Sequence, residues 1–516
     1  MEKRWTPITR SSIAPYRNQG GFDLLGSGRL RLETRTHFEA AARSCRELRL
    51  DGLVIVGGDD SNTNAAYLAE YFSANGVTTA VVGVPKTIDN DMRGGGIPIS
   101  FGFDSASKVY SEMIGNVCSD ARSCRKYWHF IRIMGRRASH LTLECALQCR
   151  PNIALVGEEI AAKGTTLREI VDDIASLVTL RGALGLHYGV VLIPEGLLSF
   201  IPEVAVLMEE LNEAKEAELS DLAEKMIDPT RGERPELEMR RAFTDAVRGR
   251  LSPSSAAVAS QLPDDIFGEL LHGRDSHGNV SLSSIDTEEL LAELVGKELN
   301  GRHEAGRRTP PQQMQPTQGG ATSASALGSA PGSGRFRPMT HFCGYEGRAG
   351  LPTNFDATYA YALGYGAATL AAGGAHSTVA AITNLTCAPK RWHVTGVPLC
   401  RLMRSERRAG KDRLVIRKMM VDLNGPAFAR FASERDSWRN LDHYSCPGPT
   451  QFDWSMDDVE VEAANHLPMV LRLASGGDGG GGDRLTARDG LRCTRAGAKD
   501  TENVVEEGED TGAWAA

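Results

Sequence analysis

The chain lacks any apolar run approaching the ~18 residues of a membrane span, and its N-terminus, MEKRWTPITR, lacks the apolar segment of a secretory signal. No membrane partner is expected. A basic excess is also missing: 66 acidic against 58 basic residues leave a net charge of −8. That balance favours solubility and gives no electrostatic footprint for nucleic acid. Ten cysteines are scattered without a CxxC pair. Cys145 and Cys149 stand four apart on an expected helix and read as buried free thiols rather than metal or redox ligands. Such usage suits a reducing cytosol, and a cytoplasmic location is expected. At 516 residues the chain is long enough for two or three domains with sizeable cores.

What is present gathers between Asp51 and Asp91, DGLVIVGGDDSNTNAAYLAEYFSANGVTTAVVGVPKTIDND. Val54, Ile55 and Val56 form a short apolar run that predicts a buried parallel strand. Gly57 and Gly58 end it, Asp59, Asp60 and Ser61 follow, and Asn62 to Phe72 reads as a helix. Ala80, Val81, Val82 and Val84 predict a second buried strand, stopped by Pro85 and followed by the loop KTIDND. Both polar clusters then lie at the carboxyl ends of neighbouring strands, the edge where ligands bind in open α/β sheets. Four aspartates (Asp59, Asp60, Asp89, Asp91) and Lys86 converge there. Carboxylates at a strand end can hold a hard cation such as Mg²⁺, which prefers few carboxylates plus substrate phosphates. A lysine can neutralise phosphate charge, and an aspartate can take a proton from an attacking hydroxyl. A structural turn and a solvated loop are the bland alternative.

GGDDSNTNA and PKTIDND resemble the signatures of the phosphofructokinase family, on its pyrophosphate-dependent branch. Further matches are MGRRASHLTLECALQ (Met134 to Gln148), LIPEG (Leu192 to Gly196) and GYEGRAGLPTNFDATYAYALGYG (Gly344 to Gly366). The likeness is to the family's catalytic, beta-type chains and runs from Ile8 to Trp454, apart from a low-complexity insert. It implies an α/β fold of two Rossmann-like α/β/α layered domains with a helical insertion. The family opens with a strand leading into a glycine-rich loop of the GGxxPGxN kind, whose backbone N–H groups hold the phosphoryl donor. This sequence starts after that point. The expectation is an incomplete copy or a naturally short chain, with a donor site lacking a wall, a sheet lacking a central strand and impaired activity.

The remaining elements follow in order. Thr36 to Leu48 reads as an amphipathic helix. Asp104 is expected to cap the helix after SFGFD. Lys126 to Ile133 predicts a strand ending at Met134-Gly135-Arg136, with a helix from Ala138 to Cys149. Arg136 thus stands at a strand end above a helix N-terminus, and both favour anions. His129 and His140 read as packing histidines. Asn152 to Val156 and Tyr188 to Ile193 predict strands, the second ending in Pro194-Glu195-Gly196. The expected division is 1–145 for the donor domain, 146–202 for the first part of the sugar-phosphate domain, and 203–303 for a helical insertion. A linker rich in Pro, Gly, Gln, Ser and Thr at 304–335 follows, then the rest of the sugar-phosphate domain at 336–472 and a disordered tail at 473–516.

Residue by residue, the resemblance implies the following roles. Asp59 binds the catalytic Mg²⁺. Gly58, Asp60 and Lys86 form the donor site. Asp60 stands where ATP-dependent relatives carry glycine, and its carboxylate takes the space and charge of an ATP α-phosphate. Lys86 stabilises the transferring group. Asp89 is the base for the sugar's 1-hydroxyl, with Thr87 and Ile88 completing its loop. Met134, Gly135, Arg136, Glu195, Tyr345, Glu346, Gly347 and Arg348 hold fructose 6-phosphate. Lys126 and Tyr127 reach the sugar phosphate across a subunit boundary, so at least a homo- or hetero-dimer is implied. The implied reaction is reversible transfer from pyrophosphate to fructose 6-phosphate. An ATP-dependent phosphofructokinase and a truncated or regulatory, non-catalytic subunit are the alternatives.

Overall fold

The computed structural model describes residues 5–26, 28, 32, 34–225, 243–273, 282–308, 336–408, 411–448 and 467–474. Two four-stranded sheets organise them. The first has the order β1-β2-β7-β8, with β1 (Gly52–Gly57), β2 (Ala80–Pro85) and β7 (Thr378–Thr383) parallel and β8 (His393–Pro398) antiparallel at the edge. The second is wholly parallel in the order β4-β5-β3-β6, built from β3 (Trp128–Ile133), β4 (Ile153–Ala154), β5 (Gly189–Pro194) and β6 (Pro338–Cys343). A separate hairpin pairs β9 (Met403–Arg408) with β10 (Lys411–Ile416). The layered α/β architecture is the expected fold class.

Strand alternation explains the layering, because successive side chains point to opposite faces. In β2, Val82 and Val84 join one core and Val81 another; in β7, Ala380 and Ile382 part from Val379 and Ala381 in the same way. In β3, Ile131 and Ile133 face the core that holds Val82 and Val84, while Trp128 and Phe130 face away from it. The two sheets therefore share a central layer. It is filled by α3 (Phe103–Cys124), α4 (His140–Cys149) and α12 (Asn354–Ala372). Helices α1 (Arg35–Glu47) and α2 (Asp59–Ala74) cover the outer face of the first sheet. The outer face of the second is covered by α6 (Leu167–Ala183) and by the insertion helices α7 (Pro202–Lys225), α8 (Pro253–Ala259), α9 (Asp264–His272) and α10 (Thr287–Arg308). Helix α5 (Gly157–Lys163) packs at β4, α11 (Tyr345–Arg348) follows β6, and α13 (Pro426–Asn440) closes the central layer. Among the described residues, no helix is long and apolar enough to cross a membrane.

Several expectations are corrected. Strand β1 is an edge strand, so Val54 and Val56 are 41% and 47% exposed rather than buried. Helix α2 begins at Asp59, not Asn62, because Gly58 already serves as its N-cap. Asp104 does not cap α3. Gly102 does, and Asp104 is buried inside the first turn, paired with Lys108 at 2.8 Å. The sheets do not divide near residue 145: β3, before that point, belongs to the second sheet, and β7, far after it, to the first. Glu304–Arg308 complete α10. The rest of the low-complexity insert, and the tail from residue 475, lie outside the described residues.

Candidate active site

The Gly57-Gly58 turn is shaped by what surrounds it. A methyl group on Gly57 would lie 2.3 Å from Ser61 Oγ, so only glycine fits. Asn62, fully buried in the first turns of α2, donates from Nδ2 to the carbonyls of Gly57 (2.8 Å) and Gly58 (2.9 Å). These bonds fix the angle at which α2 leaves β1 and place Asp59 and Asp60 in its first turn. An acidic pair at that end also suits the positive pole of the helix. Lys86 N donates to Gly57 O at 2.9 Å, which ties the second loop to the first. Thr87 N donates to Phe101 O at 3.1 Å, and Thr87 Oγ1 accepts from Asp89 N at 3.2 Å. Asp89 is thereby aimed from the end of β2 toward the second sheet.

The second sheet contributes three adjacent strand ends. Ile133 is in register with Pro194 and with Cys343, so the turns after β3, β5 and β6 lie side by side. Met134 N donates to Cys343 O at 3.0 Å and Glu195 N to Ile133 O at 2.9 Å. Gly135 adopts φ +132, a backbone that favours glycine. Its N–H donates to Glu195 Oε2 at 2.8 Å. The other oxygen, Glu195 Oε1, is buried without a hydrogen bond, an acceptor left for a ligand hydroxyl. Helix α11 presents Tyr345, Glu346, Gly347 and Arg348. Arg348 stacks over the Tyr345 ring at 4.4 Å, and Gly347 is packed so tightly on the Tyr110 ring that no side chain fits.

The two edges meet in one cleft. A Cβ built on Gly135 would lie 3.9 Å from Asp89 Oδ1. Burial and the Glu195 carboxylate raise the Asp89 carboxyl to about 6, against Arg136, which lowers it. Burial and Asp89 push Asp91 up to about 8. Burial and the Arg348 guanidinium hold Lys86 below the ordinary lysine value, while Asp89 acts in the opposite sense. The cleft thus mixes carboxyl groups (Asp59, Asp89, Asp91, Glu195) with cations (Lys86, Arg136, Arg348), and each wall carries both. Such an arrangement binds a polyanion and moves a proton.

Most of the residues singled out from sequence are brought together here. Gly58, Asp59, Asp60, Lys86, Thr87, Ile88 and Asp89 come from the first sheet, and Met134, Gly135, Arg136, Glu195 and Tyr345 to Arg348 from the second. Lys126 and Tyr127 are not. They precede β3, at the opposite edge of the sheet, about 23 Å (Tyr127) and about 26 Å (Lys126) from Met134 at ordinary strand rise. Sequence reasoning missed Asn62, which only the turn geometry reveals, and Lys418, whose ammonium lies 2.9 Å from Asp59 Oδ2. No local signal marks Lys418, which follows a hairpin far along the chain. The two histidines stay structural. Burial lowers both to about 4, and His140 Nε2 donates to Met419 O at 2.9 Å.

One glycine links the walls of the cleft to stability. A methyl on Gly196 would lie 2.3 Å from Arg136 O, which is backbone and cannot swing aside. Gly196→Ala is expected to cost about 1–3 kcal/mol by overpacking, read by urea unfolding. Gly268, in α9 with nothing within 4 Å of its built Cβ, is the control. Gly268→Ala should be neutral or stabilising by up to about 1 kcal/mol. Equal effects at the two positions would show that the Gly196 turn does not need its close approach.

Among the described residues no cluster of three or more His, Cys, Asp or Glu forms a metal cage. The donor set still fits Mg²⁺, which is held by one or two carboxylates and completed by phosphate oxygens and water. Asp59 offers a hard oxygen close enough to Asp89 and Asp91 to raise both.

The family description "Phosphofructokinase" matches residues 1–234. The chain is 45% identical to the pyrophosphate–fructose 6-phosphate 1-phosphotransferase beta subunit of Solanum tuberosum over 452 residues, 88% of this chain and 72% of that one. It is 44% identical to the pyrophosphate–fructose 6-phosphate 1-phosphotransferase of Treponema pallidum, covering 86% of this chain and 71% of that one. The enzyme of the same name from Porphyromonas gingivalis is 43% identical, over 88% of this chain and 76% of its own.

Proposed function

The chain belongs to the phosphofructokinase family, and we propose that it transfers a phosphoryl group reversibly from pyrophosphate to the 1-hydroxyl of fructose 6-phosphate, in the cytoplasm. The products are fructose 1,6-bisphosphate and phosphate. The observation that carries this reading is the convergence of Asp89, Lys86 and Arg348 from two sheets in one cleft.

Arg136 and Arg348 fit the sugar phosphate, as planar guanidinium forks do. Glu195, with one oxygen fixed by Gly135 N–H and one unpaired, fits a sugar hydroxyl. Tyr345 and Glu346 lie exposed at the cleft rim, where ring hydroxyls would reach them. Asp89 then accepts the proton of the 1-hydroxyl. The resulting oxygen attacks the near phosphorus of pyrophosphate, the bridging P–O bond breaks, and phosphate leaves with the electron pair. Lys86 lies where charge on the transferring group develops. Asp59 would hold Mg²⁺, which neutralises diphosphate charge. Lys126 and Tyr127 belong to this account only through a second subunit, and the relatives named as subunits agree with an oligomer.

Donor choice rests on Asp60, in the first turn of α2 beside the donor loop. A carboxylate there repels an ATP α-phosphate and leaves room for the shorter diphosphate. Asp60→Gly is expected to lower kcat/KM for pyrophosphate about 10- to 100-fold, the range of one misplaced charge near a transferring group. Coupled assays with each donor read this out. Unchanged pyrophosphate turnover in the variant removes the donor argument.

A further inference from the structure

The segment 417–421, after β10, is fastened over the cleft by main-chain bonds. Arg417 N donates to Leu402 O at 2.7 Å and Met419 N to Asp91 O at 2.7 Å. Met419 O accepts from His140, and Val421 N donates to Glu158 Oε1 at 2.9 Å. Lys418 lies between these ties, its side chain 14% exposed, with its Nζ 2.9 Å from Asp59 Oδ2. Its charge also reaches Asp89 and Asp91, lowering both against the burial that raises them.

We propose that Lys418 positions the phosphoryl donor: its ammonium, paired with Asp59, turns to an oxygen of inorganic diphosphate when Mg²⁺ takes that carboxylate. The proposal rests on the function given above and adds to it a donor-side cation that no sequence motif marks. The chemistry favours a change of partner. An ammonium carries three donors on a flexible four-carbon stem, so it can leave a carboxylate for a phosphate without backbone movement. The backbone beneath it is held at Arg417, Met419 and Val421, so the swing of the side chain is the available motion. Charge balance points the same way. Asp59, Asp60 and Asp89 crowd the donor end, and a diphosphate adds further negative charge. Lys86 and the metal alone leave that end strongly anionic. Loss of a purely structural ion pair would instead lower stability by the same amount with every ligand bound.

The test uses Lys418→Met, with Lys418→Gln as the second variant because its amide keeps a hydrogen bond to Asp59 without the charge. Expected for both is a rise of about tenfold or more in KM for pyrophosphate, with KM for fructose 6-phosphate within about twofold. Magnesium pyrophosphate alone should raise the melting temperature of the wild type and raise it much less in the variants. Fructose 6-phosphate should protect all three equally. Variants with wild-type KM and wild-type protection by magnesium pyrophosphate, beside an active wild type, overturn this proposal alone. A wild type that does not use pyrophosphate sinks the functional reading and this proposal together.

Discussion

Asp89→Asn is expected to lower kcat about 10²- to 10⁴-fold, the contribution of a positioned general base, with the fold intact. Asparagine keeps the shape and the Thr87 Oγ1 bond to the backbone of residue 89, but it cannot accept the proton of the 1-hydroxyl. The pH profile carries a second signature. Burial and Glu195 raise Asp89 to about 6, and the base must be ionised to work. In the wild type, kcat/KM should therefore fall about tenfold per unit as pH drops below about 6, because that parameter reports the free enzyme. The acidic limb should vanish in the variant. Stability should move the other way. A carboxyl raised by folding disfavours its charged form, so above about pH 6 the native carboxylate is a liability relative to the unfolded chain. Asp89→Asn should therefore melt higher than wild type at pH 7 to 8. Steady-state kinetics across pH and thermal unfolding check all three. A variant with kcat within threefold of wild type removes Asp89 as the base.

Lys86→Met comes second, with an expected loss of about 10²- to 10³-fold in kcat, as for one preorganised donor to developing charge. The main-chain bond from Lys86 N to Gly57 O is untouched by the change. Methionine keeps the apolar stem, so the loss belongs to the ammonium. Its binding of fructose 6-phosphate, measured by calorimetry, should stay within about twofold, since the phosphate fork of Arg348 remains. Lys86→Arg should restore little. The larger, planar guanidinium is a poor substitute for a compact ammonium that feels both the Arg348 guanidinium and the Asp89 carboxylate. Wild-type kcat in Lys86→Met would place the transferring group elsewhere.

How much of this was legible in the sequence depends on how local each signal is. The turns at Gly57-Gly58 and after Pro85 announced themselves, because an apolar run stopped by glycine or proline and followed by aspartates is a local pattern. The pairing of strands is not local. Val54 and Val56 read as buried because three apolar residues in a row suit a central strand, yet β1 stands at the edge of its sheet. Sheet membership was misplaced for the same reason. Residues 128–133 and 378–383 cross over to sheets assembled from distant segments, and no boundary in composition marks the exchange. Asp104 matched the cap preference of its residue type, but its carboxylate is occupied by Lys108 and by Thr353 Oγ1. Within the cleft, residues carried by motifs were found, whereas Lys418 acts through a tertiary contact alone, and Asn62 sits inside the first motif but works by local bonds to the Gly57 and Gly58 carbonyls that only the turn geometry shows. Lys126 and Tyr127 precede β3 and stay outside the cleft of a single chain; the resemblance assigns them to a neighbouring subunit's site.

The decisive measurement is the rate at which the purified chain forms fructose 1,6-bisphosphate from fructose 6-phosphate and Mg²⁺, with pyrophosphate or ATP as the sole donor. Turnover with pyrophosphate and none above background with ATP is the result expected of a cleft in which Asp60 and Lys86 choose the donor. Efficient turnover on ATP, with pyrophosphate inert, would contradict it.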